Sequence, residues 1–259
     1  MLLADKVAIV SGVGPGLGRE LALAFAREGA FVVLGARSSG TIREVADEIT
    51  DGGGTALAVP TNIVDPAQCA RLVSAALGEL GRVDCLVNNA FRMDTMQPFE
   101  DVDLEIWRKI VDVNVFGSLQ LTREVVAPMK AQGGGSVVFV NSMIVRKVLP
   151  NQGGYTISKA ALLSAAQVLA KELGPHKIRV NSILPGAMWG PNVELWLKMR
   201  AEEHGTTEQE EYEAMASEMA LGIIPPDDDV ANAAVFFASD LSRVITGQAL
   251  NVNGGEVFS

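Results

Sequence analysis

The feature that most restricts the fold of this chain is a regular alternation of short apolar runs with longer amphipathic stretches. Short runs rich in β-branched residues are typical of strands, and apolar residues spaced three and four apart are typical of helices. Strand–helix–strand alternation requires crossover connections, which join parallel strands. The strands are apolar on both sides, as Val137–Val140 illustrates, so they need cover on both faces. The sequence therefore predicts an α/β fold: a doubly wound parallel sheet of about seven strands with helices on both faces.

Periodicity and breaker residues place the elements along the chain. Strands are predicted at Lys6–Ser11, Phe31–Ala36, Thr55–Pro60, Val83–Asn88, Ser136–Ser142, Ile178–Leu184 and Gln248–Val252. Helices are predicted at Leu17–Glu28, Thr41–Asp51, Pro66–Leu80, Leu104–Ala131, Tyr155–Leu173 and Asp227–Ala238. The segment at about 186–222 has two helical patterns, Val193–Glu203 and Glu208–Leu221, and no strand. We interpret it as a substrate lid inserted into a single domain that spans residues 1–259.

Composition excludes several classes of protein. The 259 residues carry a net charge of −10 and contain no basic run, which is a poor match to nucleic acid or an anionic membrane surface. The chain has no run of 18 apolar residues for a membrane span, and Asp5 and Lys6 interrupt the region where a signal peptide would be apolar. Cys69 and Cys85 cannot form a disulfide framework, so we expect a cytoplasmic protein.

A glycine-rich turn follows the first predicted strand, with the sequence Ser11-Gly12-Val13-Gly14-Pro15-Gly16-Leu17-Gly18. Glycine is required where the backbone adopts positive φ or lies close to a ligand. The helix that follows presents free N–H groups and the positive end of its dipole, which favours phosphate. A tight turn without a ligand is the alternative. The position between a strand and a helix favours a dinucleotide site in a Rossmann-type sheet.

The spacing of Gly12, Gly16 and Gly18 resembles the Gly-x-x-x-Gly-x-Gly motif of the classical short-chain dehydrogenase/reductase family. The resemblance covers essentially the whole chain. Asn88-Asn89-Ala90 is similar to the family's Asn-Asn-Ala-Gly motif, with Phe91 at the last position, and Asn114 and Ser142 stand where the family has these residues. Tyr155-Thr156-Ile157-Ser158-Lys159 matches the family's Tyr-x-x-x-Lys motif, and Pro185-Gly186 follows the sixth strand as it does in the family. It implies a nicotinamide-dependent oxidoreductase.

Tyr155 and Lys159 are four residues apart and share one face of a helix. An adjacent ammonium favours the phenolate, so we expect Lys159 to lower the pKa of Tyr155 and to let it exchange protons near neutrality. Ser142, at the end of a strand, can orient the substrate oxygen. The resemblance implies that Lys159 also binds the nicotinamide ribose and that Asn114 holds a water in a proton relay. Each residue alone has a purely structural interpretation.

The end of the second strand, Leu34-Gly35-Ala36-Arg37-Ser38, lacks the carboxylate that binds the ribose hydroxyl in NAD enzymes. Arg37 can pair with a 2′-phosphate and Ser38 can donate a hydrogen bond to it, so we favour NADP(H) over NAD(H). Relative to the family, Asn62-Ile63 replaces an aspartate-containing pair and Gly190 replaces a threonine. Cofactor contacts are predicted at Gly12, Gly14, Gly16, Leu17, Gly18, Arg37, Ser38, Asn62, Ile63, Asn89, Ala90, Tyr155, Lys159, Pro185, Gly186 and Met188.

Apolar residues after Ser142 and in the lid predict the substrate pocket, with Met143, Ile144, Leu149, Trp189 and Trp196 as its candidates. They indicate a moderately bulky apolar ketone or secondary alcohol. The helix from Tyr155 is apolar nearly all round, which predicts a homo-oligomer, and the resemblance suggests a homotetramer. No nucleic-acid or membrane partner is expected.

Alternative functions remain open. One is a 3-oxoacyl thioester reductase that acts on acyl carrier protein or coenzyme A substrates, against which the acidic lid weighs. Another is a non-catalytic nucleotide-binding redox sensor, which would not need Ser142, Tyr155 and Lys159. A metal site is not expected, because His176 and His204 are far in sequence from both cysteines and zinc needs three or four clustered ligands. Neither histidine follows a nucleophile motif.

Overall fold

A computed structural model describes residues 1–258 and shows seven parallel strands in the order β3-β2-β1-β4-β5-β6-β7. The predicted doubly wound α/β sheet is confirmed. The chain leaves the centre of the sheet toward β3 and returns to β4, which creates a topological switch between β1 and β4. A ligand cleft is expected outside the carboxyl ends of these two strands. The strands are β1 (Val7–Ser11), β2 (Phe31–Ala36), β3 (Thr55–Pro60), β4 (Cys85–Asn88), β5 (Gly135–Val140), β6 (Ile178–Pro185) and β7 (Ala249–Val252).

Side chains alternate across the sheet and so supply two cores. On one face, Ala8 and Val10 pack with the buried sides of three helices, α1 (Leu17–Arg27), α2 (Ser39–Asp51) and α9 (Asp227–Ala238). On the other face, Val7 and Ile9 pack with α3 (Pro66–Leu80), α5 (Ser118–Ala131) and α6 (Gly153–Leu173). The remaining helices are α4 (Leu104–Val111), α7 (Pro191–His204) and α8 (Glu208–Ala216).

The helix predicted at Leu104–Ala131 is not continuous. A π-helical segment, Asp112–Gly117, separates α4 from α5. This segment buries Asn114, and at its end a side chain on Gly117 would collide with Ile63. The widened turn therefore lets the chain pass close to the loop after β3. Apolar spacing on either side of this segment is helical, so it predicts one helix and does not locate the widened turn.

The two lid helices, α7 and α8, are joined by a small apolar cluster and by one buried carboxylate. Glu211 on α8 accepts hydrogen bonds from Arg200 Nε at 2.8 Å and Thr206 Oγ1 at 2.8 Å, and its Oε1 lies 2.9 Å from His204 Nδ1. These contacts lower the pKa of Glu211 to about 2. The predicted second lid helix ends at Ala216 rather than Leu221, and the turns that follow bury Met219 beneath the lid.

No helix among residues 1–258 combines the length and the apolar character that a membrane crossing requires.

Candidate active site

The glycine-rich turn is packed too closely for side chains at two of its positions. A side chain on Gly12 would overlap the backbone of Ala90, and one on Gly18 would overlap the Gly12 carbonyl. Asn89 Nδ2 donates to that same carbonyl at 2.8 Å and so connects the turn to the end of β4. Gly16 has φ 84° and, as the residue before α1, leaves the first N–H groups of the helix without a side-chain acceptor. These N–H groups suit a phosphate.

A cleft of about 1050 Å³ extends from this turn along the carboxyl edge of the sheet. Every residue predicted from the sequence to contact the cofactor lines it, as does Ser142. Arg37 and Ser38 are exposed at one end. Ser38 also caps α2 by accepting a hydrogen bond from Thr41 N at 3.4 Å. Tyr155 and Lys159 lie together elsewhere in the cleft wall.

Lys159 is 2% exposed, and its Nζ donates to the Val140 carbonyl at 2.8 Å. Burial lowers the pKa of its amine to about 7. Burial also raises the pKa of Tyr155 to about 12, although the side chain of Ser142 acts to lower it. The predicted lowering of the pKa of Tyr155 is therefore wrong for this structure. Loss of hydration disfavours both charged forms, so the tyrosine is a neutral phenol and the lysine titrates near neutrality.

Packing fixes the backbone of Tyr155 near the start of α6. Asp94, from the loop after β4, accepts a hydrogen bond from Tyr155 N at 3.1 Å. Gly153 and Gly154 let Trp107 approach so closely that a side chain at either glycine would overlap its ring. Ser142 Oγ accepts from Ile144 N at 3.2 Å, which holds the serine at the end of β5. Sequence reasoning missed Asp94, since nothing in the sequence connects it to a helix sixty residues later.

Asn114 lies behind the cleft wall instead of lining it. Its Oδ1 accepts from Arg92 N at 2.6 Å, and its Nδ2 donates to the Arg92 carbonyl at 3.1 Å and to Ser158 Oγ at 2.9 Å. Both amide protons therefore have protein acceptors. The side chain connects the loop after β4 with the helix that carries Tyr155. The water predicted for Asn114 would therefore have to donate to Oδ1 or contact the Asn114 backbone.

None of the predicted substrate residues lines the cleft. Met143 and Ile144 are buried, and Leu149 lies in the loop that follows them. Trp189 packs edge-on against Tyr212, with 5.0 Å between the ring centroids. Trp196 packs beneath Arg200. Met143 and Ile144 therefore belong to the buried interior, and the two tryptophans contact neighbours in the segment at 186–222. A sequence pattern reports that a residue needs burial but not which surface buries it.

The cleft wall beside Tyr155 comes from the loop after β4 and from α7. Phe91, Arg92 and Met93 line it, together with Asn192 and Val193. The ring centroid of Phe91 is 6.2 Å from that of Tyr155 and 5.7 Å from Lys159 Nζ. Phe91 therefore covers the tyrosine–lysine pair. Its position in a motif that normally ends in glycine was the signal that could have identified it.

The residues of the cleft fit a nicotinamide dinucleotide. The turn at Gly14 faces open space, and the start of α1 supplies backbone donors. Asn141 Nδ2, in the same wall, is a buried donor without a partner among residues 1–258, and such donors normally have one. Within the same residues, no group of three histidine, cysteine or acidic side chains could hold a metal ion.

Comparisons with known proteins agree with this geometry. A family model described as enoyl-(acyl carrier protein) reductase matches residues 12–256. The L-rhamnose 1-dehydrogenase (NAD(P)(+)) of Azotobacter vinelandii is 38% identical, with 98% of each chain covered. The 3-oxoacyl-[acyl-carrier-protein] reductase of Thermotoga maritima is 31% identical, with 100% of each chain covered.

Solved structures show the same likeness. A short-chain type dehydrogenase/reductase from Mycobacterium ulcerans matches with a TM-score of 0.88 at 31% identity, over 99% of this chain and 91% of that one. A 7α-hydroxysteroid dehydrogenase in complex with NADH and 7-oxo glycochenodeoxycholic acid matches with a TM-score of 0.84 at 31% identity, over 99% of this chain and 96% of that one. The chain therefore belongs to the short-chain dehydrogenase/reductase family and is an NAD(P)-dependent dehydrogenase or reductase.

Proposed function

We propose that this protein transfers a hydride between a nicotinamide cofactor and the carbonyl or secondary alcohol of a moderately bulky, apolar substrate, with Tyr155 as the acid and base. One observation carries the proposal: Ser142, Tyr155 and Lys159 line the same cleft as the glycine-rich turn. A cleft that holds a dinucleotide beside a proton donor brings together the two parts that carbonyl reduction needs.

The roles of the residues follow from their protonation states. Tyr155, with its pKa raised to about 12 by burial, keeps its proton at neutral pH and can donate it to the oxygen of a ketone. Ser142 can donate a hydrogen bond to the same oxygen and support its developing charge. Lys159 titrates near neutrality and so can return a proton toward the tyrosine. Bound nicotinamide supplies or accepts the hydride.

Asn114 is a positioning residue in this scheme. Through Ser158 and the Arg92 backbone it connects the helix of Tyr155 with the loop that carries Phe91. Its burial in the π-helical segment fixes both partners in relation to each other. Loss of this amide would displace the tyrosine by a small distance, and small displacements of reacting groups strongly reduce rates.

We infer that NADP(H) is preferred over NAD(H). The exposed Arg37 and Ser38 line the end of the cleft and supply a guanidinium and a hydroxyl for a 2′-phosphate. The segment at 34–38 contains no carboxylate that would accept from ribose hydroxyls. A guanidinium pairs with a phosphate through two parallel hydrogen bonds, which favours the phosphorylated cofactor.

We infer an apolar substrate from the wall beside Tyr155, where Phe91, Met93 and Val193 face the cleft. The named relatives act on a sugar, a bile acid and an acyl thioester, so a 3-oxoacyl thioester reductase is the second candidate. The two candidates are separated by comparing kcat/KM for a panel of cyclic ketones and secondary alcohols with kcat/KM for acetoacetyl-coenzyme A. The same proposal takes the segment at 186–222 as a lid on a single domain, in a cytoplasmic homotetramer.

Tyr155→Phe tests the proposal. We expect kcat/KM to fall by about a hundredfold to ten-thousandfold, the contribution typical of a general acid, while NADPH binding measured by fluorescence stays within about twofold. Tyr212→Phe is the matched control, because this ring packs on Trp189 away from the cleft. Retention of turnover by Tyr155→Phe would contradict the role of the phenol. If the wild type binds NADPH but converts no substrate of either class, the sensor alternative is favoured.

A further inference from the structure

One acidic residue of the cleft has no part in the scheme above. Asp227 is the first residue of α9, is 8% exposed and lines the cleft beside the glycine-rich turn. Within residues 1–258, the side chain of Asp227 has no hydrogen-bond partner. No hydrogen bond contributes to the shift in its pKa. A buried carboxylate normally has such partners, because an unpaired charge is costly to remove from water.

Two glycines make room for this carboxylate. A side chain on Gly190 would overlap Asp227 Oδ2, and a Cβ on Gly16 would lie 2.9 Å from it. Asp227 N also donates to the Trp189 carbonyl at 3.3 Å, which holds the start of α9 beside residue 190. The carboxylate therefore fills the space between Gly190 and Gly16, the residue that precedes α1.

This position places an acid beside a site for anions. The N–H groups at the start of α1 suit the pyrophosphate of a dinucleotide, and a carboxylate next to a phosphate is repelled by it. A carboxylic acid that keeps its proton is instead a hydrogen-bond donor. We propose that Asp227 binds the pyrophosphate of the cofactor as the protonated acid, so that cofactor binding takes up a proton. This inference rests on the proposed placement of the cofactor.

The charges around Asp227 favour the neutral acid. Burial is the largest cause and, together with Glu20 on α1 and Asp228 on its own helix, raises the pKa of Asp227 to about 6. Arg19 on α1 forms ion pairs with Glu20 and Glu48, and Asp229 follows Asp228 at the start of α9.

The other elements around Asp227 bring little charge to it. Residues 187–190 and the first residues of α7 up to Val193 are uncharged, and Glu194 follows them in the first turn of α7. On the strands beneath α9, Arg179 of β6 contacts the far end of the helix at the Phe237 carbonyl. Asp240 follows that end.

The sign of the expected pH dependence follows from linkage. A bound phosphate raises the pKa of Asp227 further, so the cofactor binds tightest at about pH 6 and below. Its affinity falls as the pH rises through the free and then the bound pKa. If binding raises this pKa by about one unit, the affinity falls by about tenfold between the two plateaus.

Fluorescence titration with NADH at pH 6.0–8.5 tests the inference, since NADH carries no group that titrates in this range. Wild type is compared with Asp227→Asn and with the matched control Asp228→Asn, an exposed neighbour. Because Lys159 also titrates near pH 7, the difference between variants carries the test. We expect Asp227→Asn to lose a pH dependence of about fivefold over this range and to bind more tightly than wild type at pH 8.5, whereas Asp228→Asn keeps most of the pH dependence.

Calorimetry of NADH binding in two buffers of different ionisation enthalpy at pH 6.5 counts the protons taken up by the wild type and by Asp227→Asn. We expect the wild type to take up more protons than the variant. Equal uptake by the two proteins, or equal pH dependence in Asp227→Asn and Asp228→Asn, would overturn the role of Asp227 while cofactor binding itself remains. If the wild type binds neither NADH nor NADPH at any pH, both this inference and the proposed function are wrong.

Discussion

At the scale of single residues, burial changes what the residue types alone indicate. The Tyr155–Lys159 spacing predicts an ammonium that lowers the pKa of a phenol. Lys159 is buried and Tyr155 is half-buried, and loss of hydration moves both toward their neutral forms. A tyrosine that retains its proton is suited to donate in the reducing direction. Oxidation of an alcohol would run through the same groups in reverse, with the tyrosine as the base.

Arg37 is the residue on which the proposed preference for NADP(H) rests. Arg37→Asp removes the partner of a 2′-phosphate and adds an acceptor for ribose hydroxyls. Hydrogen bonds to charged groups contribute about 1.5–3 kcal/mol, so we expect the ratio of NADPH to NADH affinity to fall by about tenfold to a hundredfold. Fluorescence titration measures both affinities, and Arg43→Asp, exposed on α2 outside the cleft, is the control. An unchanged ratio would show that Arg37 does not select the cofactor.

At the scale of elements, one buried carboxylate on α8 contacts Arg200 and His204 of α7. Glu211→Gln keeps the shape of the side chain but removes its charge from Arg200 and His204. We expect hydrogen exchange of backbone amides in α7 and α8 to accelerate severalfold, while amides of β1 and β4 stay unchanged. Glu203→Gln, exposed on α7, is the control. Exchange rates that match those of the wild type would mean that apolar contacts alone hold the lid.

Protonation of the same carboxylate makes the stability of the lid depend on pH. The pKa of Glu211 is lowered to about 2 from an ordinary value of 4.5. Its stabilising contribution is therefore complete above about pH 4.5 and is lost as the pH falls toward 2. Because the intrinsic exchange rate of amides itself changes with pH, the comparison uses protection factors. Protection in α7 and α8 should fall on acidification before protection in the sheet does, and Glu211→Gln should remove this difference.

The continuous helix predicted over Leu104–Ala131 shows what an element-level pattern cannot report. Its two ends were placed correctly, but the π-helical segment around Asn114 depends on contacts with the Arg92 backbone and Ile63. These partners come from other parts of the chain. The hydrogen-bond pattern of one turn is set by such contacts, and the local apolar spacing contains no information about them.

At the scale of the whole molecule, α6 has an apolar face without cover in the monomer. Leu162, Ala166 and Ala170 face the core, whereas Ile157 and Val168 are 51% and 53% exposed. Val168→Glu places a charge on this face, so we expect it to reduce assembly from a tetramer to smaller species. Light scattering after size-exclusion chromatography measures the mass. Val244→Glu, 88% exposed in the segment after α9, is the control. A monomeric wild type would contradict the predicted assembly.

The order of residues alone predicts the seven-stranded α/β sheet, the turn around Gly12 and the spacing of Tyr155 and Lys159, because each depends on local periodicity and on backbone conformations that few residues allow. Contacts between distant parts of the chain are needed to show that Phe91 instead of Trp196 lines the cleft and that Asp227 fills the space beside Gly190. The directions in which the pKa values of Tyr155 and Lys159 shift also depend on tertiary structure. Burial and electrostatics depend on residues brought together from distant parts of the chain, and a linear pattern does not contain those distances.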